Sequence, residues 1–360
     1  MPMHIVIVGT GIVGAALAYR LAEAGVAVTL IDRAGVGSGA SSKSFGWINA
    51  SDAEPVRYNR FRQEAIAAWR RLPESLALPV RWGGSLACEA GENAVRAHAD
   101  ALAALGCAAR VVEGAEIARL APGVAGLRDV AVLCADEGAV DAAVAARILT
   151  EAAASLGARR MTGMDALSLR LVGDRVCGLS TSFGPLDADV VVLAAGTGSA
   201  ELAATAGVTL PMADRKGLIV RTRPLPPVVT PIILTEDVHF RQEPDGRIIV
   251  GEDFSGEGPN FGLIDRDPGK LANMLIDRLR ARLPEVDGIA LGEMTLGTRP
   301  IPADGMPVIG QAAPGLYLTA MHSGVTLAPL VGELAAREVL TQAPVADLSS
   351  FRIDRFRQRL

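Results

Sequence analysis

The sequence predicts an α/β dinucleotide-binding domain of the Rossmann type, joined to a second α+β domain built on a mixed or antiparallel sheet. Three observations support this fold class. A glycine-rich turn connects an apolar strand to a helix near the start of the chain, an acidic residue ends the next strand, and later segments mix helical and strand-like periodicity. The chain has 360 residues, 50% of them hydrophobic, which is enough for two domains.

The first two strands and the helix between them carry the main motif. Residues 5–8 predict a buried strand and residues 12–24 a helix, and the turn between them reads Gly9-Thr10-Gly11-Ile12-Val13-Gly14. A second apolar run, residues 26–31, ends at Asp32, where a dinucleotide fold places its ribose-binding carboxylate. Glycine is required because the backbone must turn tightly and approach a pyrophosphate. The pattern predicts dinucleotide binding, with an ordinary tight turn as the alternative.

A second loop rich in glycine and serine follows Asp32 directly. It comprises residues 33–42 and supplies flexible backbone and small hydroxyl groups at the carboxyl end of the second strand. A nicotinamide enzyme has no obvious need for this loop, whereas a larger cofactor extends further across the sheet. The sequence resembles the flavoproteins with two dinucleotide-binding motifs, and the resemblance favours FAD.

Later segments narrow the resemblance to one family. They are residues 189–198, which form a strand followed by a glycine turn, and residues 297–310, 318–329 and 351–354. Together they resemble the D-amino-acid oxidase, glycine oxidase and sarcosine oxidase (DAO-type) family, and are most similar to its glycine-oxidase branch. The resemblance spans nearly the whole chain.

The resemblance implies two discontinuous domains. Residues 1–48, 138–210 and 296–360 would form the FAD-binding domain, and residues 49–137 and 211–295 the substrate-binding domain. The periodicity of the sequence is compatible with this division. It predicts helices over 58–72, 93–105, 142–156 and 327–340, strands over 80–87 and 247–250, and a hairpin over 170–181.

The resemblance also implies the cofactor contacts. They are Gly9, Gly11, Ile12, Val13, Gly14, Asp32, Arg33, Ala40, Ser41, Ser42, Lys43, Phe45, Gly46, Met164, Ala195, Gly196, Ser323, Gly324, Val325 and Thr326. The last four precede or begin the C-terminal helix, where unpaired N–H groups stabilise the negative charge of a reduced flavin. Lys43 is expected to face either the flavin or the active site, with an ordinary solvated lysine as the alternative. Related enzymes attach FAD covalently through a cysteine near this loop, but no cysteine follows Cys177, so we expect non-covalent FAD.

Four residues are candidates for binding substrate: Arg299, His239, His322 and Trp47. A guanidinium can hold a carboxylate with two parallel hydrogen bonds, and in the family the arginine that matches Arg299 does so. His239 and His322 depart from the family pattern, since glycine oxidase carries a tyrosine and an arginine in the matching regions. The preferred substrate is therefore expected to differ from glycine. A structural ion pair for Arg299 and structural roles for the histidines are the alternatives, and no catalytic base is assigned.

The predicted reaction is FAD-dependent oxidation of the C–N bond of an amino acid or N-substituted amino acid, by hydride transfer to flavin N5. The imine product is hydrolysed, and electrons pass to oxygen or to a quinone or other carrier. Residues 247–250 lack the lysine that activates oxygen in sarcosine-oxidase-type members, which leaves oxidase and dehydrogenase both open. A 2-hydroxy-acid oxidoreductase and a non-catalytic flavin-bearing subunit of a larger oxidase are the alternatives. The oligomeric state, homo-oligomer or subunit of a hetero-oligomer, also stays open.

Composition argues against several other classes. The net charge of −5 and pI of about 5.5 provide no broad basic surface for nucleic acid. Four widely spaced cysteines, with no Cys-x-x-Cys pair, predict neither a metal site nor a disulfide framework. The N-terminus lacks the features of a signal peptide, and no apolar run reaches the ~20 residues of a transmembrane helix. We therefore expect a cytoplasmic protein without metal, nucleic-acid partner or transmembrane segment.

Overall fold

The computed structural model describes residues 3–252 and 261–357. In chain order, its strands are β1 His4–Val8, β2 Ala27–Asp32, β3 Trp47–Ile48, β4 Ser85–Ala87, β5 Ala109–Glu113, β6 Val130–Cys134, β7 Gly138–Ala139, β8 Arg159–Thr162, β9 Ala166–Val172, β10 Arg175–Thr181, β11 Gly184–Asp187, β12 Val190–Leu193, β13 Met212–Thr222, β14 Ile232–Leu234, β15 His239–Gln242, β16 Ile248–Gly251, β17 Leu291–Pro302, β18 Val308–Ala313 and β19 Leu316–Ala320.

The α-helices in the same part of the chain are α1 Ile12–Glu23, α2 Val56–Arg71, α3 Glu92–Ala104, α4 Gly114–Leu120, α5 Ala142–Ser155, α6 Ser199–Ala204, α7 Phe261–Arg266, α8 Pro268–Arg282, α9 Gly324–Thr341 and α10 Asp354–Arg357. Single-turn 3-10 helices include Ala40–Lys43, directly before the segment that leads into β3.

The first large sheet has six strands in the order β18-β19-β12-β1-β2-β8. Every neighbouring pair is parallel except β18 and β19. Side chains of β1 alternate between two cores, because successive residues of a strand point to opposite faces. Ile5 and Ile7 belong to the cluster formed with α1, α5 and α9, whereas Val6 and Val8 belong to the cluster formed with β9 and β10. Both faces are covered, as a parallel sheet requires.

The second large sheet has eight strands in the order β17-β13-β16-β15-β14-β4-β6-β5. One face packs against α8, where Phe240 of β15 joins Leu271 and Leu275 in an apolar cluster. The opposite face of the sheet carries Ile219 and Ile249, which pack with Phe45. His239 and Arg241 flank Phe240 and therefore point to this opposite face. We call it the site face, because it meets the segment that follows the 3-10 helix Ala40–Lys43.

Most predicted elements occur within one to three residues of their predicted bounds. The helices predicted over 58–72, 93–105 and 142–156 are α2, α3 and α5, and the predicted hairpin is β9 and β10. The strand predicted over 80–87 was wrong in length, because only Ser85–Ala87 is a strand. The glycine pair before it explains the difference: Gly84 adopts φ +73°, and a Cβ on Gly83 would lie 2.7 Å from the carbonyl oxygen of Thr230.

The C-terminal helix begins at Gly324, three residues before its predicted start, and contains Pro329 in its second turn. Proline has no N–H to donate to the carbonyl of Val325, four residues earlier. The indole of Trp69 on α2 donates instead, at 3.0 Å to the Val325 carbonyl and 3.1 Å to that of Thr326. The helix therefore continues through the proline, because a side chain from α2 replaces the missing donor.

Candidate active site

The turn after β1 contains three glycines, and two of them make contacts that leave no room for a side chain. Gly9 has φ +104°, and an added Cβ would lie 2.4 Å from the carbonyl oxygen of Ala194 at the end of β12. A Cβ on Gly14 would lie 2.0 Å from the carbonyl oxygen of Gly9. Gly11, in extended conformation, is the N-cap of α1 and offers no side chain to its N–H groups. The turn thus exposes backbone donors at the helix start, where a phosphate binds.

Asp32 ends β2 and holds the neighbouring turn in place. One carboxylate oxygen accepts from the backbone N–H and the hydroxyl of Thr10, both at 2.9 Å, and the other accepts from the backbone N–H of Ala34, at 2.9 Å. A carboxylate has about four acceptor positions, so one stays available for a ribose hydroxyl. The backbone N–H of Met164 donates to the carbonyl of Asp32 at 3.0 Å, which places Met164 at the same sheet edge.

The second loop closes over the start of α1. The hydroxyl of Ser41, in the 3-10 helix, accepts from the backbone N–H of Ile12 at 3.0 Å. Ser42 instead donates to the carbonyls of Ser38 and Gly39 within its own loop. The start of α9 approaches from the other side, since a Cβ on Gly324 would lie 3.2 Å from Cγ2 of Val13. Two helix starts and two loops therefore converge at one edge of the six-stranded sheet.

This edge fits the diphosphate and ribose of a dinucleotide on three counts. The glycine contacts keep side chains out of the cradle, Asp32 retains an acceptor, and α1 presents N–H groups that no Gly11 side chain caps. Ala195 and Gly196 follow β12 beside this cradle, with Gly196 at φ +57°. Arg33 and Ala40 are exposed on the loop that follows β2.

On the site face, β13 and β17 form an antiparallel pair in which Gly217 lies directly opposite Gly297. The space above this glycine pair is filled by two cationic side chains. A Cβ on Gly217 would lie 2.9 Å from Nε of Arg299, and a Cβ on Gly297 would lie 3.0 Å from Cδ of Lys43. Arg299 thus lies flat on the sheet. Lys43 extends onto the neighbouring glycine of the same sheet from the loop that covers the start of α1. The two halves of the molecule meet here.

His322 lies two residues before the start of α9, close enough to Arg299 for the guanidinium charge to act on its ring. The residue is partly open to solvent, yet neighbouring protein atoms desolvate its ring. This desolvation, with the positive charges of Arg299 and Arg62, lowers the pKa of His322 to about 4, and Asp52 opposes the shift. The imidazole is therefore neutral at physiological pH. No hydrogen bond joins its ring to another residue in the described part of the chain.

Arg62 is a buried arginine on α2 that the sequence reasoning missed. Its guanidinium donates to the carboxylate of Asp52 and the side-chain carbonyl of Asn49, and lies over the ring of Tyr58 at 5.4 Å. Among the described residues, no acceptor lies within reach of its Nε. Arg62 follows Phe61 on the buried face of an amphipathic helix. An arginine in register with the apolar positions of α2 was the signal in the sequence that could have indicated this buried charge.

The predicted substrate residue Trp47 is held by a second buried group. Its indole donates to the carboxylate of Glu137 at 2.9 Å, which also accepts from the backbone N–H of Ala50 at 2.9 Å and the hydroxyl of Ser85 at 2.6 Å. Burial raises the pKa of Glu137 to about 7, although the three donors oppose the shift. Nothing in the sequence pattern distinguished Glu137 from an ordinary surface carboxylate.

His239 lies on the site face but at a distance from Arg299. It pairs with Glu89 at 2.6 Å and occupies the row of β15 that runs through Gly251 and Ile219. Two strand spacings and two residues separate it from Gly217, which is roughly 12 Å. Next to it, the buried guanidinium of Arg241 donates to the carbonyl of Phe45 and pairs with Glu243. Burial lowers the pKa of Arg241 to about 10.

The remaining predicted residues lie between the loop after β2, the strand pair β3 and β7, and the start of α9. Gly46 adopts φ +76°, and a Cβ there would lie 2.1 Å from the carbonyl oxygen of Val140, so the strand pair β3 and β7 sits tightly under the loop. The hydroxyl of Thr326 links this strand to α9, donating to the carbonyl of Trp47 and accepting from the N–H of Asn49, each at 3.2 Å. Ser323 is the N-cap of α9 and contacts the hydroxyl of Tyr58.

Comparison with known proteins decides the family. The sequence profile of the family described as FAD dependent oxidoreductase (DAO) matches residues 4–338. The chain belongs to the DAO family. It is therefore an FAD-dependent oxidoreductase, and the predictions of fold class, family and cofactor are confirmed. Within the ranges 3–252 and 261–357, no helix is both long and apolar enough to cross a membrane.

Several relatives of the chain within the DAO family act on amino acids. It is 26% identical over 370 residues to a glycine oxidase of Geobacillus kaustophilus (strain HTA426), covering 98% of this chain and 96% of the relative. It is 27% identical to a D-amino acid dehydrogenase of Paramagnetospirillum magneticum (strain ATCC 700264 / AMB-1), covering 98% and 99%. The structure of L-proline dehydrogenase from P. horikoshii superimposes with a TM-score of 0.88 at 19% identity, covering 99% and 98%, which shows the shared fold. The predicted class of reaction, FAD-dependent oxidation of amino acids, is confirmed at the level of the family.

Proposed function

We propose that this protein oxidises the C–N bond of an amino acid or N-substituted amino acid, with Arg299 as the carboxylate anchor. The observation that carries the proposal is the position of Arg299 over Gly217 on the site face, next to Lys43 of the loop that also contacts the start of α1 in the cradle that fits FAD. A guanidinium that lies over Gly217 on the site face can hold a planar carboxylate through two parallel hydrogen bonds. This geometry supports recognition of an acid rather than of a simple amine.

The positive charges near His322 favour the reactive, neutral form of a substrate amine. Arg299 and Arg62 act on His322 as two nearby positive charges, and they would act on a substrate amine in the same place in the same way. They disfavour the ammonium form, so the substrate binds with its nitrogen lone pair free. The ring of His322, being neutral, accepts or donates one hydrogen bond and helps to fix the amine. When bound, FAD supplies the hydride acceptor.

In this proposal the cofactor is held by the glycine turn, Asp32, the loop containing Ser41 and the start of α9. The attachment is non-covalent, because all four cysteines are free thiols and none lies in the loop before α9.

We assign residues 1–48, 138–210 and 296–360 to the FAD-binding domain and 49–137 and 211–295 to the substrate-binding domain. β17 crosses the 295/296 boundary, so it carries Arg299 from one domain to the other. A cytoplasmic location, and oxygen or a quinone as electron acceptor, belong to the same proposal.

Substitution of Arg299 tests the carboxylate anchor. Loss of a charge-assisted, paired hydrogen bond costs about 3 kcal/mol, which corresponds to a roughly 100-fold rise in KM for the best amino acid in Arg299→Met. Arg299→Lys keeps the charge but not the paired geometry, and should recover part of the loss. Arg337→Met, on the exposed side of α9, is the matched control.

The same variants should retain FAD, which the visible spectrum of the purified protein reports. An unchanged KM in Arg299→Met would contradict the assignment of Arg299. Preferential turnover of 2-hydroxy acids over amino acids by the wild type would instead support the hydroxy-acid alternative and overturn the proposed C–N chemistry.

A further inference from the structure

The position of Lys43 carries an inference about the substrate. The aliphatic part of this side chain lies directly on Gly297, since a Cβ on that glycine would be 3.0 Å from Cδ and 3.1 Å from Cβ of Lys43. Gly297 and Arg299 are two residues apart on β17 and so share the site face. Lys43 therefore belongs to the same surface as the proposed carboxylate anchor.

Two cations lie side by side above one pair of glycines. The guanidinium of Arg299 covers Gly217 and the stem of Lys43 covers Gly297, and these glycines are directly opposite each other in the strand pair. Residues opposite in an antiparallel pair have Cα atoms roughly 5 Å apart. Arg215 stands opposite Arg299 and points to the same face, which adds a third positive charge.

The ammonium group of Lys43 is available to a ligand. Lys43 is exposed, and it makes no ion pair or hydrogen bond with any other residue that the structure describes. The protein contains only three lysines, and Lys216 is ion-paired with Asp265 on the opposite face of β13. A lysine with its stem fixed on glycine and its charge unpaired, next to a carboxylate-binding arginine, is positioned to bind a second anionic group.

We propose that the substrate is an amino acid carrying a second carboxylate, on its side chain or on its N-substituent, and that Lys43 binds this second group. The inference rests on the proposed function, because it takes Arg299 as the site of the α-carboxylate. Lys43 is then a specificity-determining residue of the active site, which is one of the two positions that the sequence left open for it. One charge-assisted hydrogen bond from Lys43 to the second carboxylate favours the dicarboxylic substrate by about tenfold.

Paired substrates test the proposal in the wild-type holoenzyme. N-methylglycine is compared with iminodiacetate, and alanine with glutamate in both D- and L-forms. We expect the wild type to have the higher kcat/KM for the dicarboxylic member of a pair. Lys43→Met should lower the ratio of dicarboxylic to monocarboxylic kcat/KM at least tenfold, Lys43→Arg should restore most of it, and Lys270→Met on exposed α8 should leave it unchanged.

Three results would overturn the inference. They are a wild type that prefers the monocarboxylic members, a Lys43→Met variant that loses both kinds of substrate equally, and a Lys43→Met variant purified without FAD. The last would assign Lys43 to the cofactor. If the wild type oxidises no amino acid, that result contradicts the proposed function. The role of Lys43 in binding a second carboxylate is then tested separately, by a binding measurement.

That measurement is acetylation of lysines followed by peptide mass spectrometry. Iminodiacetate should protect Lys43 from the reagent, whereas N-methylglycine at equal concentration should not, and Lys270 should react equally in both samples. Equal reactivity of Lys43 with and without iminodiacetate would overturn the inference, whether or not the enzyme turns over.

Discussion

Glu137 links protein stability to pH in a way that one substitution can isolate. Burial raises the pKa of this carboxyl from 4.5 to about 7, so the folded protein holds a proton there at pH values where the unfolded chain has released it. The contribution of Glu137 to the free energy of unfolding is therefore fully present below pH 4.5 and is lost as the pH rises to about 7. The difference between the two pKa values corresponds to about 3 kcal/mol. Glu137→Gln has no proton to lose, so the penalty at high pH is absent from the variant.

We therefore expect the stability of Glu137→Gln relative to the wild type to rise by about 3 kcal/mol between pH 4 and pH 8. A glutamine cannot accept from all three donors, because its amide nitrogen would face an N–H or an O–H group, and this adds a constant cost at every pH. The pH-dependent difference does not depend on that cost. The carboxylate of Glu137 also fixes Trp47 by accepting from its indole, so the variant should bind substrate less tightly at all pH values.

Urea unfolding of the FAD-loaded wild type and variant, at matched cofactor concentration across this pH range, measures the difference. Glu151→Gln, on the exposed side of α5, controls for the loss of one carboxylate. A stability difference that stays level from pH 4 to pH 8 would refute the reasoning. It would mean that the three hydrogen bonds offset the desolvation of Glu137 in full.

Two further predictions concern the cofactor cradle and the helix that faces it. Gly14→Ala forces a methyl group to within 2.0 Å of the Gly9 carbonyl oxygen, so the purified variant should retain at least tenfold less FAD by absorbance. Gly35→Ala has open space and should retain FAD fully, and equal retention by both variants would contradict the cradle. Trp69→Phe removes the donor that serves the carbonyls of Val325 and Thr326, which should cost about 1–2 kcal/mol in urea unfolding. Trp82→Phe, at a partly exposed position, is the comparison, and equal stability of the two variants would argue against the role of Trp69 in α9.

The FAD-binding part of the molecule could be predicted from the sequence because the residues that form its cradle lie close together in the chain. A glycine turn between a strand and a helix, followed by an acidic strand end, is fixed by the backbone of about 30 consecutive residues. Gly9, Gly14 and Asp32 therefore occupy the positions that their spacing predicts. The start of α9 was placed three residues late, since the donation from Trp69 that lets Pro329 sit inside the helix comes from another part of the chain.

The substrate half could be read only in part, because its geometry depends on strand register. The resemblance to a family singled out Arg299, but only the pairing of β13 with β17 brings Gly217 beneath it and Lys43 beside it. Arg62 and Glu137 escaped notice because single charged residues in a sequence carry no sign of burial. His239 lies on the site face, but it pairs with Glu89 about three strands away from Arg299, a separation that only the strand order reveals.

Anaerobic titration of the purified holoenzyme tests the central claim most directly. Amino acids, N-methyl amino acids, dicarboxylic amino acids and 2-hydroxy acids are added in turn while the visible flavin absorbance is followed. The account predicts that the protein is purified with FAD, or takes it up when supplied, and that amino acids bleach the absorbance in the wild type at concentrations roughly 100-fold below those needed by Arg299→Met. A bound flavin that no amino acid reduces would contradict the account.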